Sequence, residues 1–361
     1  MNYSPVDQGF QAILQQVLPL SSAQTHRISQ IGVAMLLAKS TCLSSIASFV
    51  KATTNQDSRI RRITRLLDAR FVTQDLAYQP AIREVLKNHN SKVWHLMIDR
   101  STLWDSKVDL VTVALHCRKR VIPLMWEFVP FGGACQEVYI DLVQRCAQLI
   151  PPTQRVIFHG DTEFGRVVMI FALRELNWDF ILGQSSHVHI RCKGEQQSRP
   201  LSSLPVPHHG TFLLPDIELT SKHLLGGLNL LAFREPKHNG IHRKREFLYL
   251  VTSLPLSTSL RRVGRRRWGI EPFHRDLKSA GFQLPTSRLR SPKRLASIVI
   301  LAALAYLYTV CLGRWLCKTS RRVEVDDKPQ RHYSLFRLGR DWLVNRLRCD
   351  LPIPVMLRFY T

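Results

Sequence analysis

Hydrophobic positions recur at helical spacing through the first ninety residues, as in the series Ile31, Met35, Leu36, Leu43, Ile46 and Phe49, and strand-like alternation is absent. Between residues 59 and 70 the apolar Ile60, Ile63, Leu66 and Leu67 interleave with Arg59, Arg61, Arg62, Arg65 and Arg70. That pattern predicts an amphipathic helix with arginines along its polar side. From residue 93 the texture changes to strands. Val93–Ile98 is a short apolar run ending at Asp99, and Leu110–Cys117 and Val121–Val129 are two more, joined by the polar turn Arg118–Arg120. Ala134–Ile150 reads as a helix that stops at Pro151–Pro152, Arg155–His159 as a strand running into Gly160 and Asp161, Val167–Leu176 as a helix and Trp178–Leu182 as a fifth strand. The order β-β-β-α-β-α-β predicts an α/β fold with a mixed five-stranded sheet and helices packed on it.

Beyond residue 184 the pattern shifts again. Short alternating runs (Val188–Cys192, Leu228–Arg234, Phe247–Leu250) are separated by clusters such as Pro205–Gly210 and Lys237–Gly240, which predicts a β-rich insertion over 184–254. A helix follows over Leu260–Ala280, and Leu295 to Gly313 runs nineteen residues without a charge. That run is long enough to span a membrane. Its Ser297, Tyr306, Tyr308 and Thr309, and the arginines on both flanks, favour a buried core helix and no membrane. The chain thus divides into a helical N-terminal domain (1–90) that would bind DNA, a core in two pieces (91–183 and 255–318), the insertion, and a basic C-terminal tail (319–361).

Charge narrows the function. The 361 residues carry 51 Lys and Arg against 27 Asp and Glu, a net charge of +24, while 45% apolar composition excludes a disordered chain. A surplus of this size on a folding sequence implies a polyanionic partner, with nucleic acid ahead of an anionic membrane. The first twenty residues lack the basic and apolar regions of a secretory signal. The eight cysteines include no C-x2-C pair, which argues against a zinc ribbon or a disulfide framework. Reduced thiols and a cytoplasmic location are expected. The helix around residues 59–70, with five arginines against Asp68, is either a solvated face or a DNA-backbone contact made by residues such as Arg59 and Arg62.

A basic chain uses few carboxylates, so those at strand ends stand out. Asp99 follows the first strand and Asp161 the fourth; if these strands are neighbours, the two acids lie side by side. Paired carboxylates repel unless a cation separates them, and such a pair suits two-metal phosphoryl transfer. Each Asp alone would read as a turn or cap residue. Glu271 is the candidate third acid: Arg267, Glu271, Arg275 and Lys278 share one face of an α-helix. From 257 to 294 there are eleven Lys and Arg against two acids, far more cation than Glu271 can pair, although a surface ion-pair network is the bland alternative.

These residues carry a resemblance. Arg267, Glu271 and Lys278 fit the Arg-x3-Glu-x6-Lys part of the Tyr-x2-Arg-x3-Glu-x6-Lys signature, WGIEPFHRDLKSAGF resembles its context, and IDRSTL and FHGDTEFG resemble the segments holding the first two acids. The chain over about 93–313 is similar to bacterial insertion-sequence transposases of the DDE type, in the insertion-sequence-four branch. Two departures stand out: Gly264 occupies the Tyr position, and Pro272 after Glu271 requires the helix to start or kink there.

The resemblance implies an RNase H-like core in which Asp99, Asp161 and Glu271 bind two Mg²⁺, with Mn²⁺ tolerated. It implies cleavage at transposon ends to free a 3′-OH and transfer of that 3′-OH to target DNA. Arg267, Arg275 and Lys278 would clamp phosphates, and Trp268 would stack on a base or pack the helix. The partners would be double-stranded DNA, as terminal inverted repeats and target, and a second copy of the chain, in a bacterial cytoplasm at the nucleoid. Glu163 is a rival acid; Asp105 and Asp109 read as turn residues, and His274, His208 and His209 as loop or DNA-contact residues. A ribonuclease H-like nuclease and an inactive transposase-derived DNA-binding protein remain the alternatives.

Overall fold

The computed structural model describes residues 5–103, 108–220, 222–239 and 242–359. The described residues up to 90 form five α-helices: α1 (Pro5–Val17), α2 (Ser22–Ala38), α3 (Leu43–Ala47), α4 (Gln56–Leu67) and α5 (Gln79–Lys87). Local chemistry sets their starts. Ser21 and Gln24 form a reciprocal capping box on α2, and the Asn55 side chain accepts from the Ser58 N–H to open α4. Ile63, Leu66 and Leu67 of α4 point inward, while Arg61, Arg62 and Arg65 are exposed.

The sheet begins with three antiparallel strands, β1 (Val93–Leu103), β2 (Val108–Cys117) and β3 (Arg120–Pro130). Helix α6 (Gln136–Ala147) leads to β4 (Arg155–Gly160), and α7 (Val167–Glu175) to β5 (Asp179–Gln184); β4 runs parallel to β1, and β5 to β4. The order β3-β2-β1-β4-β5 is the RNase H-like arrangement expected from the sequence. Nearly every residue of the apolar runs is buried because layers cover both faces, which explains why these strands read as continuous rather than alternating patterns. At the outer edge, β3 carries Pro123, and its backbone is covered. Gln74 bonds both the N–H and the C=O of Trp126, and the Tyr78 hydroxyl donates to the Pro123 carbonyl.

The sheet does not end at five strands. After β6 (His189–Cys192), β7 (Arg199–Pro200), β8 (Thr211–Leu219) and β9 (Leu225–Asn239) comes β10 (His242–Thr252), which pairs antiparallel with β5. The insertion therefore continues the same sheet, in the order β5-β10-β9-β8-β6-β7. Strand β8 escapes a reading by alternation, because Pro215 and Asp216 fall where its register against β9 shifts.

The helical run after the insertion changes geometry three times: α8 (Leu260–Gly264), a 3₁₀ stretch (Arg265–Ile270), α9 (Glu271–Arg275) and a π stretch (Asp276–Ala280). It leads to α10 (Pro292–Lys318), the one helix among the described residues long and apolar enough to cross a membrane. Of its most apolar eighteen residues 94% are buried within the protein. Its hydroxyls are satisfied there: Ser297 donates to the Leu67 carbonyl, Tyr306 to Val121, Tyr308 to Pro354, and Thr309 to Ala305. α10 thus lies between the sheet and the N-terminal helices, whose buried residues join the same core.

The basic stretch 319–361 is more than a tail. It contains α11 (Leu335–Arg348), which buries Leu335, Phe336, Leu338, Trp342 and Leu343, and a terminal strap that buries Ile353, Met356, Leu357 and Phe359. Arginines dominate the composition of this stretch and hide its apolar face.

Candidate active site

Asp99 lies inside β1, not beyond it. The strand continues to Leu103 because β2 keeps pairing with it, Asp99 facing Thr112. On its other side β1 pairs with β4 only as far as Met97 and His159, so Asp99 and Asp161 each sit two residues past the last parallel pair. The register brings the two acids to the same end of the sheet, where the charge of Asp161 acts on the Asp99 carboxyl. Gly183 of β5 lets the turn after Asp161 lie flat on the sheet: a Cβ there would come within 2.8 Å of the Thr162 nitrogen.

Burial pushes the Asp99 carboxyl up to about 7 from its ordinary 3.8; Arg267 pulls it down, and the charges of Asp161 and Glu271 raise it. Glu271 is exposed at the first position of α9. The structure therefore gathers the three acids singled out from the sequence into one electrostatic neighbourhood. Among the described residues, no group of three His, Cys, Asp or Glu side chains is drawn together as a ready-made metal cage. The donor chemistry still fits Mg²⁺, which needs one or two carboxylates and takes its other oxygens from water and phosphate. The crowding felt by Asp99 is what a divalent cation would relieve.

The cations occupy a run that is not one α-helical face. Arg267 is in the 3₁₀ stretch, Arg275 ends α9 and Lys278 lies in the π stretch. Pro272 sits in the first turn of α9, where its missing N–H costs nothing. Arg267 nevertheless acts on Asp99, and burial lowers the Lys278 pKa while Asp109 and Asp99 raise it. Arg275 is exposed. Trp268 is half-buried and, with Phe233, Phe247, Tyr249, Arg265 and Arg267, lines a cavity of about 640 Å³ that reaches Asp161.

Beneath the carboxylates, packing fixes the run. Phe273 meets Tyr306 edge-on at 4.9 Å, and Arg120 of β3 pairs with Asp276 in the interior. Burial raises the Asp276 carboxyl to about 6, with Arg120 opposing. His95 and His159 join at 3.0 Å between Nδ1 and Nε2. Burial holds His95 down near 3, His116 near 4 and His159 well below its ordinary value, so the three are neutral at pH 7.

Several expectations change. His274 is not a loop or surface residue: it is buried with Nε2 3.5 Å from Asp99 Oδ2, and burial holds its pKa near 3. In regular helical spacing residue 274 already shares the face of Arg267, Glu271 and Lys278, a signal that the loop reading passed over. Asp109 is not a turn residue but a fully buried member of β2, paired with Arg100. Asp105 falls outside the described residues. Glu163 is engaged by Arg100 and Tyr139 rather than facing Asp161 as a rival. His208 lies beside Arg234, and His209 is exposed. Arg59 and Arg62 lie on α4, Arg62 exposed and Arg59 half-buried. Arg100 and Tyr139 were missed as site residues; nothing in their local sequence marks them.

Residues 137–308 match the family model described as a transposase DDE domain. The matched segment contains Asp161 and Glu271 and begins after Asp99. No curated protein matches the chain. Among solved structures, the cryo-EM structure of a piggyBac transposase synaptic complex with hairpin DNA is similar with a TM-score of 0.47 and 12% identity, covering 97% of this chain and 79% of that one.

Proposed function

We propose that the chain is a DNA transposase of the DDE type, in the insertion-sequence-four branch, with Asp99, Asp161 and Glu271 as its metal-binding catalytic acids. The observation that carries this reading is the β1–β4 register, which brings Asp99 and Asp161 to one end of the sheet, where Arg267, Asp161 and Glu271 all act on the buried Asp99 carboxyl. Two Mg²⁺ ions, or Mn²⁺, would be held by the three acids and would supply the charge that stabilises the attacking and leaving oxygens. Two displacements follow at such a site. Water attacks the phosphodiester at a transposon end, forming a new P–O bond as the bond to the 3′ oxygen breaks and leaves a 3′-OH. That 3′-OH then attacks a target phosphodiester, and a target 3′ oxygen leaves.

The chain's own residues prepare both steps. Arg267 and Lys278 neutralise phosphate next to the acids, with Arg275 further along the strand's path. Trp268 offers a flat face at the cavity wall. The exposed arginines of α4, Arg62 among them, suit backbone contacts on the terminal repeats. Two ends must be joined, so a homodimer on paired DNA is the working assembly, acting in the cytoplasm at the nucleoid.

The test uses a supercoiled plasmid carrying the DNA on both sides of the coding region, where short inverted repeats are expected. With Mg²⁺, purified protein should nick at the repeat ends and join them to a second plasmid, whereas Asp99→Asn and Glu271→Gln should bind the ends without nicking. Nicking that persists in both variants would sink the reading. Nicking without joined products would instead indicate a nuclease.

A further inference from the structure

Asp161 stands past the end of β4, where the β1–β4 ladder no longer holds its backbone. A metal-binding carboxylate must nonetheless be fixed to about 0.5 Å. We propose, on the transposase reading above, that Arg100, Glu163 and Tyr139 form a clamp that positions the Asp161 carboxylate, with Glu163 acting through its backbone N–H.

The Glu163 N–H donates to Asp161 Oδ1 at 2.9 Å. Its side chain is held at both oxygens: Arg100 Nε donates to Oε2 at 2.8 Å and the Tyr139 hydroxyl to Oε1 at 2.6 Å. Gln136 Nε2 donates to its carbonyl at 3.4 Å. Residue 163 is therefore gripped by β1 and α6, two elements fixed by the core, and its N–H has one direction left. The grip is itself braced. The Tyr139 hydroxyl accepts from the Ala134 N–H at 2.9 Å, and Arg100 also pairs with Asp109, which accepts from the Gly132 N–H at 3.0 Å.

The arrangement explains why Glu163 is no metal ligand although it lies two residues from Asp161. Both of its carboxylate oxygens are occupied by donors, and charge-assisted bonds of this kind are strong. It also gives β1 a double role. Strand alternation sends Asp99 to the site face and Arg100 to the other, so one dipeptide supplies a catalytic acid and anchors the turn bearing the second.

Arg100→Ala is a poor test, because it would leave the fully buried Asp109 without its cation. Tyr139→Phe removes one oxygen and Glu163→Gln removes the charge while keeping shape. Each is compared with the wild-type full chain by Mn²⁺ titration followed by electron paramagnetic resonance, by hydrogen–deuterium exchange of the segment 161–165, and by thermal melting. Each variant should weaken Mn²⁺ binding about tenfold, the low end of what disturbing an outer partner of a metal ligand costs, because the Glu163 N–H is kept and only its anchoring is loosened. Exchange at the Glu163 amide should rise as well. A lowered melting temperature with unchanged Mn²⁺ affinity and unchanged exchange would make the network merely structural and overturn the clamp. Should the wild type bind no Mn²⁺, or bind it equally after Asp161→Asn, the transposase reading fails, and amide exchange alone then decides for or against the clamp.

Discussion

Asp99, inside β1, and Asp161, just past the end of β4, each lie two residues beyond the Met97–His159 pair that ends the parallel β1–β4 ladder. This register brings both acids to the same end of the sheet, Asp99 held by the β1–β2 ladder and Asp161 by the turn that follows β4. The cost is the burial of the Asp99 carboxyl, to which the charge of Asp161 adds.

That cost is measurable in the metal-free protein. The folded Asp99 carboxyl sits at about 7 against an ordinary 3.8, so between roughly pH 4 and pH 7 the folded chain holds a proton that the unfolded chain has lost. Stability therefore falls as pH rises through that window and levels off above it. Asp99→Asn should remove this slope and, at pH 8 with chelator present, stabilise the fold by on the order of 3 kcal/mol. Urea unfolding of both proteins across the pH range checks it; a difference that does not vary with pH counts against the raised carboxyl. Added Mg²⁺ should stabilise the wild type and leave the variant little changed.

The arginines of α4 should act through charge alone. Arg62 is exposed, so Arg62→Ala should lower affinity for all duplexes and reduce the slope of log K against log salt by about 0.9, one phosphate contact. Melting temperature should hold. Arg59 differs, since its Nε is buried without a hydrogen-bond partner among the described residues, and Arg59→Ala should also alter stability. Fluorescence anisotropy between low and moderate salt separates the two; an unchanged slope for Arg62→Ala would remove α4 from the DNA path.

How much of this was legible follows from range. Asp99 and Asp161 stood out because apolar runs end at them, and Glu271 because of its spacing from Arg267 and Lys278. The continuation of β1 through Asp99, Arg100, Ser101 and Thr102 did not, since those polar residues are held in a strand by β2 rather than by their own pattern. The burial of His274 was legible in principle, since positions 267, 271, 274 and 278 share one helical face; that it packs against Asp99 depends on β1. Arg100 and Glu163 are 63 residues apart, and only the β1–β4 register brings them together. Short-range chemistry was readable, and partners chosen by the sheet were not.

The Arg120–Asp276 pair should be the fold's sensitive point near the site. Its side chains are 6% and 5% exposed, and it ties β3 to the π stretch that bears Lys278. Asp276→Ala leaves the guanidinium buried without its partner, which should cost about 3–5 kcal/mol. Replacing both residues, as in Arg120→Met with Asp276→Leu, should recover most of that loss. Chemical denaturation of Arg120→Met, Asp276→Leu, the double variant and the wild type forms the cycle; additive losses would mean that the two groups do not act as a pair.

Gly264 stands where the resemblance expects a tyrosine, and its surroundings suggest why. Its backbone is ordinary right-handed helix, with φ −58 and ψ −35, so a side chain is not excluded by conformation. The obstacle is β10: a Cβ would meet Leu250 Cδ1 at 2.9 Å, with Ile181 Cγ2 at 3.7 Å. The end of a leucine side chain can shift, and alanine gains up to about 1 kcal/mol over glycine in a helix. Gly264→Ala should therefore stay within about 1 kcal/mol of the wild type, by denaturant melts, and should nick DNA at the same rate. A loss well beyond that would mean that α8 and β10 cannot separate even slightly. The glycine would then be fixed by the close approach of the insertion to the helical run that bears Glu271, and its place in the motif would say nothing about activity.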